Sequence, residues 1–255
     1  MHGLQGTPTA RPAGKKRDPA RRAAGQSSTA SSRTWRQLLV WLHVLSSVSW
    51  MSQAIVMCTL LGISAASPAG ELKGASAHVA ELLDVTVLTS SANMSAFTGF
   101  ALAATTTWGY FHHWWVATKF VITFGQLYLG IFVLSAAMPD VLTAASRGED
   151  GPAASVALGA GLMAGALAFQ AWLSVAKPWG RTPLAARART RPSTAPRWLL
   201  ALTVLVPIID IPFGILIIDR PLPALSLAIL AIALVARTRQ HHRAVHLRRA
   251  TSASS

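Results

Sequence analysis

QLLVWLHVLSSVSWMSQAIVMCTLLG, from Gln37 to Gly62, is long and apolar enough to cross a bilayer and contains no Lys, Arg, Asp or Glu. About 20 mostly apolar residues suffice for ~30 Å of hydrocarbon. Arg33 and Arg36 stand just before it. Working outward, the same arrangement recurs: apolar runs separated by basic punctuation. Of the 23 Lys and Arg residues, eight lie within residues 1–36, six between Lys177 and Arg197, and five from Arg237 to Arg249. The positive-inside rule places these three segments together in the cytoplasm, with both termini inside.

Five further spans follow from this alternation. Residues 79–107 form a second span, unusually rich in Ser, Thr and Asn and carrying Glu81 and Asp84. Trp108-Gly109-Tyr110-Phe111-His112-His113-Trp114-Trp115 is a short turn with the composition of an interfacial aromatic belt. The third span covers 115–137 and ends at Met138-Pro139-Asp140, followed by an outer loop over 140–152. The fourth, 154–176, is dense in Gly and Ala, which predicts close helix packing inside the bundle. Residues 198–218 and 222–237 make a hairpin turning at Asp219-Arg220-Pro221. Six spans, unlike five, return the basic tail to the inside.

The expected fold is therefore all-α, a polytopic membrane helix bundle of six spans. Its parts are a disordered basic tail (1–34), a four-helix core (35–180), a basic linker (181–197), a C-terminal transmembrane hairpin (198–237) and a basic tail (238–255). A mean hydropathy of +0.42 and 52% hydrophobic residues agree with this class. Arg21-Arg22 is not read as an export signal, because the apolar run begins well downstream and is too long. The pI near 11.6 reflects charge flanking spans, not a basic face with stacking aromatics, so nucleic acid is excluded as a partner. The lipid bilayer, with anionic lipid at the cytoplasmic face, is the partner expected. Cys58 is the single cysteine, so no intrachain disulfide and no multi-cysteine metal site forms.

Ionisable side chains within spans are the candidate functional groups. His43 lies near the start of span one, with Ser46, Ser47, Trp50 and Gln53 continuing its face. Lys119 lies near the start of span three, on a face shared with His112, Trp115 and Gln126. For Lys119 the alternative is snorkelling to the interface, and for His112 and His113 simple residence among the headgroups. Glu81 and Asp84 are read as exposed groups at the outer end of span two, favoured there by the helix dipole, with His78 a turn before. Asp210 sits between Pro207 and Pro212 in span five. It is either a proton- or ion-relay residue at a kink or a neutral partner of a neighbouring helix.

Leu42-His43-Val44-Leu45-Ser46-Ser47-Val48-Ser49-Trp50 resembles the L-H-x-L-x-x-x-x-W first helix of the copper-resistance-D-like and haem-dependent protoporphyrinogen-oxidase-like membrane families. Trp115-Val116-Ala117-Thr118-Lys119 is similar to their W-x-x-x-K helix. The nearest resemblance is to an uncharacterised integral-membrane family of high-GC bacteria, over about residues 37–180. It implies the bacterial plasma membrane, a four-helix bundle, and haem b with His43 as a ligand. It also implies Lys119 as the catalytic residue beside the haem or its substrate. His112 or His113 would supply the second axial ligand, which a b-type haem usually takes from within its bundle. Three functions stand open: a redox protein, as an enzyme an oxidoreductase, with a cytoplasmic-side pocket; a small transporter or ion-coupled protein using Asp210; and a non-catalytic scaffold or accessory subunit whose protein partners the sequence does not name.

Overall fold

The computed structural model describes residues 19–105 and 113–183, together with Ile209 and Leu216. Among the described residues the chain is all-helical. Helix α1 runs Pro19–Ala66, α2 Glu71–Leu83, α3 Thr89–Thr105, α4 Trp114–Leu129, α5 Met138–Arg147 and α6 Ala153–Ala176. A wide π-type turn, Asp84–Leu88, joins α2 to α3 without breaking the rod. A second one, Gly130–Leu134, and a tighter 3₁₀ turn, Ser135–Ala137, join α4 to α5 in the same way. Among the described residues six helices thus make four rods, with short connections at 67–70 and 148–152.

Three described helices are long and apolar enough to cross a membrane: Thr34–Ala66, Trp114–Arg147 and Ala153–Ala176. The α2–α3 rod is long enough, but its Ser, Thr, Asn and carboxyl groups set it apart from those three. Apart from Ile209 and Leu216, spans five and six lie outside the described residues, as do the tail after them and Asp210.

The register of the bundle can be followed side chain by side chain. Along α1 and α3, Leu39 packs with Ala101, His43 bonds Ser95 and Thr98, and Ser47 bonds Ser95. Trp50 and Ala54 share a cluster with Ala92, Ala96 and Phe100. The two helices are therefore antiparallel neighbours, as a short connection favours. Helix α6 packs along α1 more extensively than any other pair does. Its small residues explain the contact: a Cβ added at Gly161 would stand 3.2 Å from the Cys58 sulfur. Cys58 accordingly fills the α1–α6 seam. The other face of α6 is bare, with Leu158, Leu162 and Val175 exposed. Trp41, Val121, Tyr128 and Phe132 are exposed on the other rods. Apolar surface facing outward on every rod suits hydrocarbon and would be an aggregation hazard in water.

Three boundaries differ from the sequence reading. The first helix begins at Pro19, inside the segment expected to be disordered. The second rod begins at Glu71, eight residues before the expected span. Gly70, at φ 152°, turns the chain sharply, so the reversal needs only Ser67–Gly70. The third rod does not stop at Pro139 but continues to Arg147. Proline is tolerated in the first turn of a helix, where its missing N–H is not needed. The irregular turns before it absorb the carbonyls it cannot serve. The expected outer loop 140–152 shrinks to the few residues after Arg147.

At that end of the bundle Lys73, its side chain 5% exposed, donates to the Ser67 carbonyl and to the Asp150 carboxylate at 3.3 Å. Asp150 is 99% exposed, so the lysine contributes chiefly by its buried stem. Gly148 ends α5 in the left-handed region at φ 69°, and its N–H and that of Glu149 bond the Ala145 and Ala144 carbonyls. A Cβ there would stand 2.6 Å from Ala69 Cβ. Gly148→Val is expected to lose about 1–2 kcal/mol from the left-handed backbone alone. Thermal denaturation in detergent checks this, with Gly74→Ala, which meets nothing within 4 Å, as the control.

Candidate functional site

His43 occupies the seam between α1 and α3. Its Nδ1–H donates to the Ser95 carbonyl at 3.0 Å and lies 3.1 Å from the Thr98 hydroxyl oxygen. Thr98 spends its own proton on the Met94 carbonyl at 2.6 Å, so its oxygen is free to accept from the imidazole. This fixes the proton on Nδ1 and leaves Nε2 as the acceptor in the neutral ring. Glycine at 99 makes room for the ring, since a Cβ there would sit 2.9 Å from His43 Cε1. The expected polar stripe of α1 divides by function. Ser46 turns back to the Leu42 carbonyl, and Ser47 crosses to Ser95 at 2.7 Å. Trp50, 2% exposed, holds Nε1–H without a hydrogen-bond partner among the described residues, and Gln53 Oε1 is also buried and unpaired.

Lys119 faces inward. Its ammonium donates to the Ser174 hydroxyl at 2.6 Å, and Ser174 donates to the Gln170 carbonyl at 3.0 Å. One turn further along α4, the Thr123 hydroxyl donates to Gln170 Oε1 at 3.0 Å. The Gln170 amide then donates to Gln126 Oε1 at 2.5 Å, and the Gln126 amide to the Met163 carbonyl at 3.0 Å. Both glutamines are buried. A file of polar groups therefore runs between α4 and α6 from Lys119 towards the middle of the bundle. His43 and Lys119, which the sequence placed at similar depth, lie on different rods, and each turns to a hydrogen-bond partner inside the bundle.

His113 is elsewhere. It stands at the N-cap of α4, where its carbonyl accepts from the Val116 and Ala117 N–H groups at 3.1 Å each, and it pairs in a short bridge with Arg181. That is about 9 Å along the helix from Lys119. His112 lies outside the described residues, as does Asp210. Nothing among the described residues supports haem b at His43, whose Nδ1 is engaged by Ser95 and Thr98.

Asp84 is where the sequence reading and the structure part. It is not an exposed group at a helix start but 6% exposed, 13 residues into its rod, at the first position of the wide turn. It opens onto a cavity of about 30 Å³ whose other lining residues include Ala54, Met57, Gly130, Leu134 and Met163. Glu81 stays partly exposed and pairs with His78 at 3.7 Å. The sequence reading also passed over Gln170. Its signal was present: a glutamine in the middle of an otherwise apolar, small-residue span.

No family model matches the chain, and neither a curated protein nor a solved structure does. The polar file has a consequence of its own. Gln170→Leu leaves Thr123 and Gln126 short of a partner and is expected to destabilise the bundle by about 1–3 kcal/mol. Adding Gln126→Leu is expected to reveal a coupling of about 0.6–1.7 kcal/mol, the range for interhelical bonds in membranes. A double-mutant cycle of detergent unfolding measures both.

Proposed function

We propose that this chain is a proton-coupled membrane protein whose inner site is built from His43, Lys119 and the α6 groups Ser174 and Gln170. The carrying observation is that Lys119 directs its charge into the bundle, onto Ser174, instead of out to the interface. An ionisable group in hydrocarbon is costly and marks ion pathways and proton relays. Helix packing alone accounts for Gln126 and Gln170, as it would in a scaffold or accessory subunit. It does not account for a lysine that turns inward on one rod and a histidine seated in the seam of another. The reading takes the Lys119 end as cytoplasmic, because the basic tail, the Lys177 segment and the start of α1 cluster there in sequence. Asp210, at its proline-flanked position, is the further relay residue this reading assigns. The bacterial plasma membrane is its place.

The chemistry needed is modest. Neutral His43 accepts a proton at Nε2 while Nδ1 stays on Ser95. Ser174 and Thr123 hydroxyls rotate to pass hydrogen bonds along the file.

Proteoliposomes loaded with a pH-sensitive dye test this. Under an imposed pH gradient, wild-type protein is expected to dissipate the gradient faster than protein-free vesicles. Lys119→Met, His43→Phe and Asp210→Asn are each expected to slow it at least tenfold while remaining monodisperse. Equal rates for wild type and all three variants would leave the scaffold reading standing. The haem reading has its own check. Protein expressed with haem precursor is expected to give a featureless dithionite-reduced visible spectrum. A stoichiometric Soret band abolished by His43→Ala would restore the redox alternative.

A further inference from the structure

The Asp84 cavity belongs to neither half of the His43–Lys119 site. Its α1 lining, Ala54 and Met57, lies about 18 Å further along that helix than His43. Two irregular turns on different rods meet at it: Asp84 and Leu88 come from one π-type turn, Gly130 and Leu134 from the other. Such turns inside helices re-aim side chains and are frequent at functional sites. The second turn answers to Pro139 nearby. The first has no proline and is held instead by side chains, since the Thr89 hydroxyl bonds the Asp84 carbonyl at 2.7 Å and the Thr86 hydroxyl the Leu82 carbonyl.

What surrounds the carboxyl decides its chemistry. Helix α1 offers Ala54 and Met57, and α6 offers Val156, Ala160 and Met163, none of them titratable. The α4–α5 rod offers Gly130, Leu134 and Met138, and Ser135, whose hydroxyl is within reach of the carboxyl. The charged neighbour is Glu81, one turn earlier on the same rod, and it is of the same sign. Among the described residues, no cation lines the cavity to balance a carboxylate. An isolated ionised carboxylate in such a medium is very costly and takes up a proton or a partner instead. The space of about 30 Å³ has room for a water, which needs roughly 10–15 Å³, and Asp84 is the polar residue that lines it.

The cavity also touches the polar file. Met163 lines it, and the Met163 carbonyl accepts from Gln126 at the end of the polar file remote from Lys119. Trp50, whose buried Nε1–H is unpaired, packs in one cluster with Ala54 and Met163. Gln53, with its unpaired Oε1, is the residue before Ala54. These are the groups a water or hydronium moving between the two sites would meet.

We propose that Asp84, opening onto this cavity between the two widened turns, is a second proton-binding site of the membrane interior, in series with the His43–Lys119 site. The site itself stands on its own geometry, and only its place in a relay rests on the proton-coupled reading.

Infrared spectroscopy of the full-length protein in reconstituted bilayers tests the site. At neutral pH the wild type is expected to show the carbonyl stretch of a protonated carboxylic acid, shifted downward in D₂O. The Asp84→Asn variant should lose that component, and Asp84→Glu should keep one at a shifted frequency. Asn is isosteric with the neutral acid, so its amide I band and monodispersity are expected to match wild type. Should Asp84→Asn not fold, the Asp84→Glu frequency shift carries the test alone. A neutral-pH spectrum without any component that responds to substitution at 84 overturns the site. The dye-loaded vesicle assay tests the relay: Asp84→Asn is expected to slow proton flux at least tenfold. Flux equal to wild type, with the infrared component present, overturns the series arrangement and leaves a structural acid. Absence of flux in the wild type defeats the proton-coupled reading, and the infrared result still decides the site.

Discussion

Hydrocarbon offers no hydrogen bonds, and every other feature of this bundle follows from that. A polar group inside must be satisfied by the protein or left at a cost of several kcal/mol. Backbone groups meet the demand by forming helices, and even the two widened turns keep their rods continuous. Side chains meet it by pairing across seams. His43 on Ser95, Ser47 on Ser95, Thr123 on Gln170 and Gln126 on Met163 join α1 to α3 and α4 to α6. Most remaining Ser and Thr hydroxyls return to their own helix, as Ser46 and Thr59 do. Specific pairing of this kind also locks register, because a one-turn slip would strand several groups at once.

Packing between the rods works by size. Gly99 admits an imidazole, Gly161 admits a sulfur, and Ala77, Ala80, Ala153, Ala157 and Ala160 let backbones approach. Larger side chains take the remaining space: Phe100, Phe120 and Phe124 stack with centroids 4.7–5.1 Å apart and tie α3 to α4. Because lipid tails are as apolar as the core, this shape matching and the hydrogen bonds, not burial from water, hold the helices together. The polar seams are therefore structural in their own right. In the proton-coupled function proposed above, the glutamines that glue α4 to α6 would also belong to the relay.

The sites differ in what they ask of the fold. His43 and Lys119 lie on separate rods, α1 and α4, and α3 and α6 supply their hydrogen-bond partners. Asp84 needs a local distortion as well, since a regular helix from Glu71 would carry its carboxyl to a different azimuth. The Thr hydroxyls at 86 and 89 that bond carbonyls of the preceding turn help hold that distortion. Both arrangements place an ionisable group where only the tertiary structure can compensate it.

Much of this was legible in the chain. Apolar runs set off by basic or turn-forming residues locate three of the four rods, one of them nearly to the residue, because a span must be about as long as the hydrocarbon is thick. The span at 154–176 corresponds to α6, Ala153–Ala176. His43 and Lys119 stood out because an ionisable residue in an apolar run has no bland composition to hide in. Asp84 did not, because its depth depends on where the helix begins. With the start set at 79 it was near an end, and with the start at Glu71 it is in the interior. Hydropathy cannot fix that start, since α2 is amphipathic and its buried face depends on α1 and α5. Gln170 was visible, but its partners were not: hydrogen bonds between residues 44 and 47 positions apart are set by which rods become neighbours. The sequence by itself determined the solvent of this protein, its helices and their spacing, because those are one-dimensional consequences of polarity and length. Only the tertiary structure decided which polar groups meet, because that depends on rotation and register between rods, which no single helix contains.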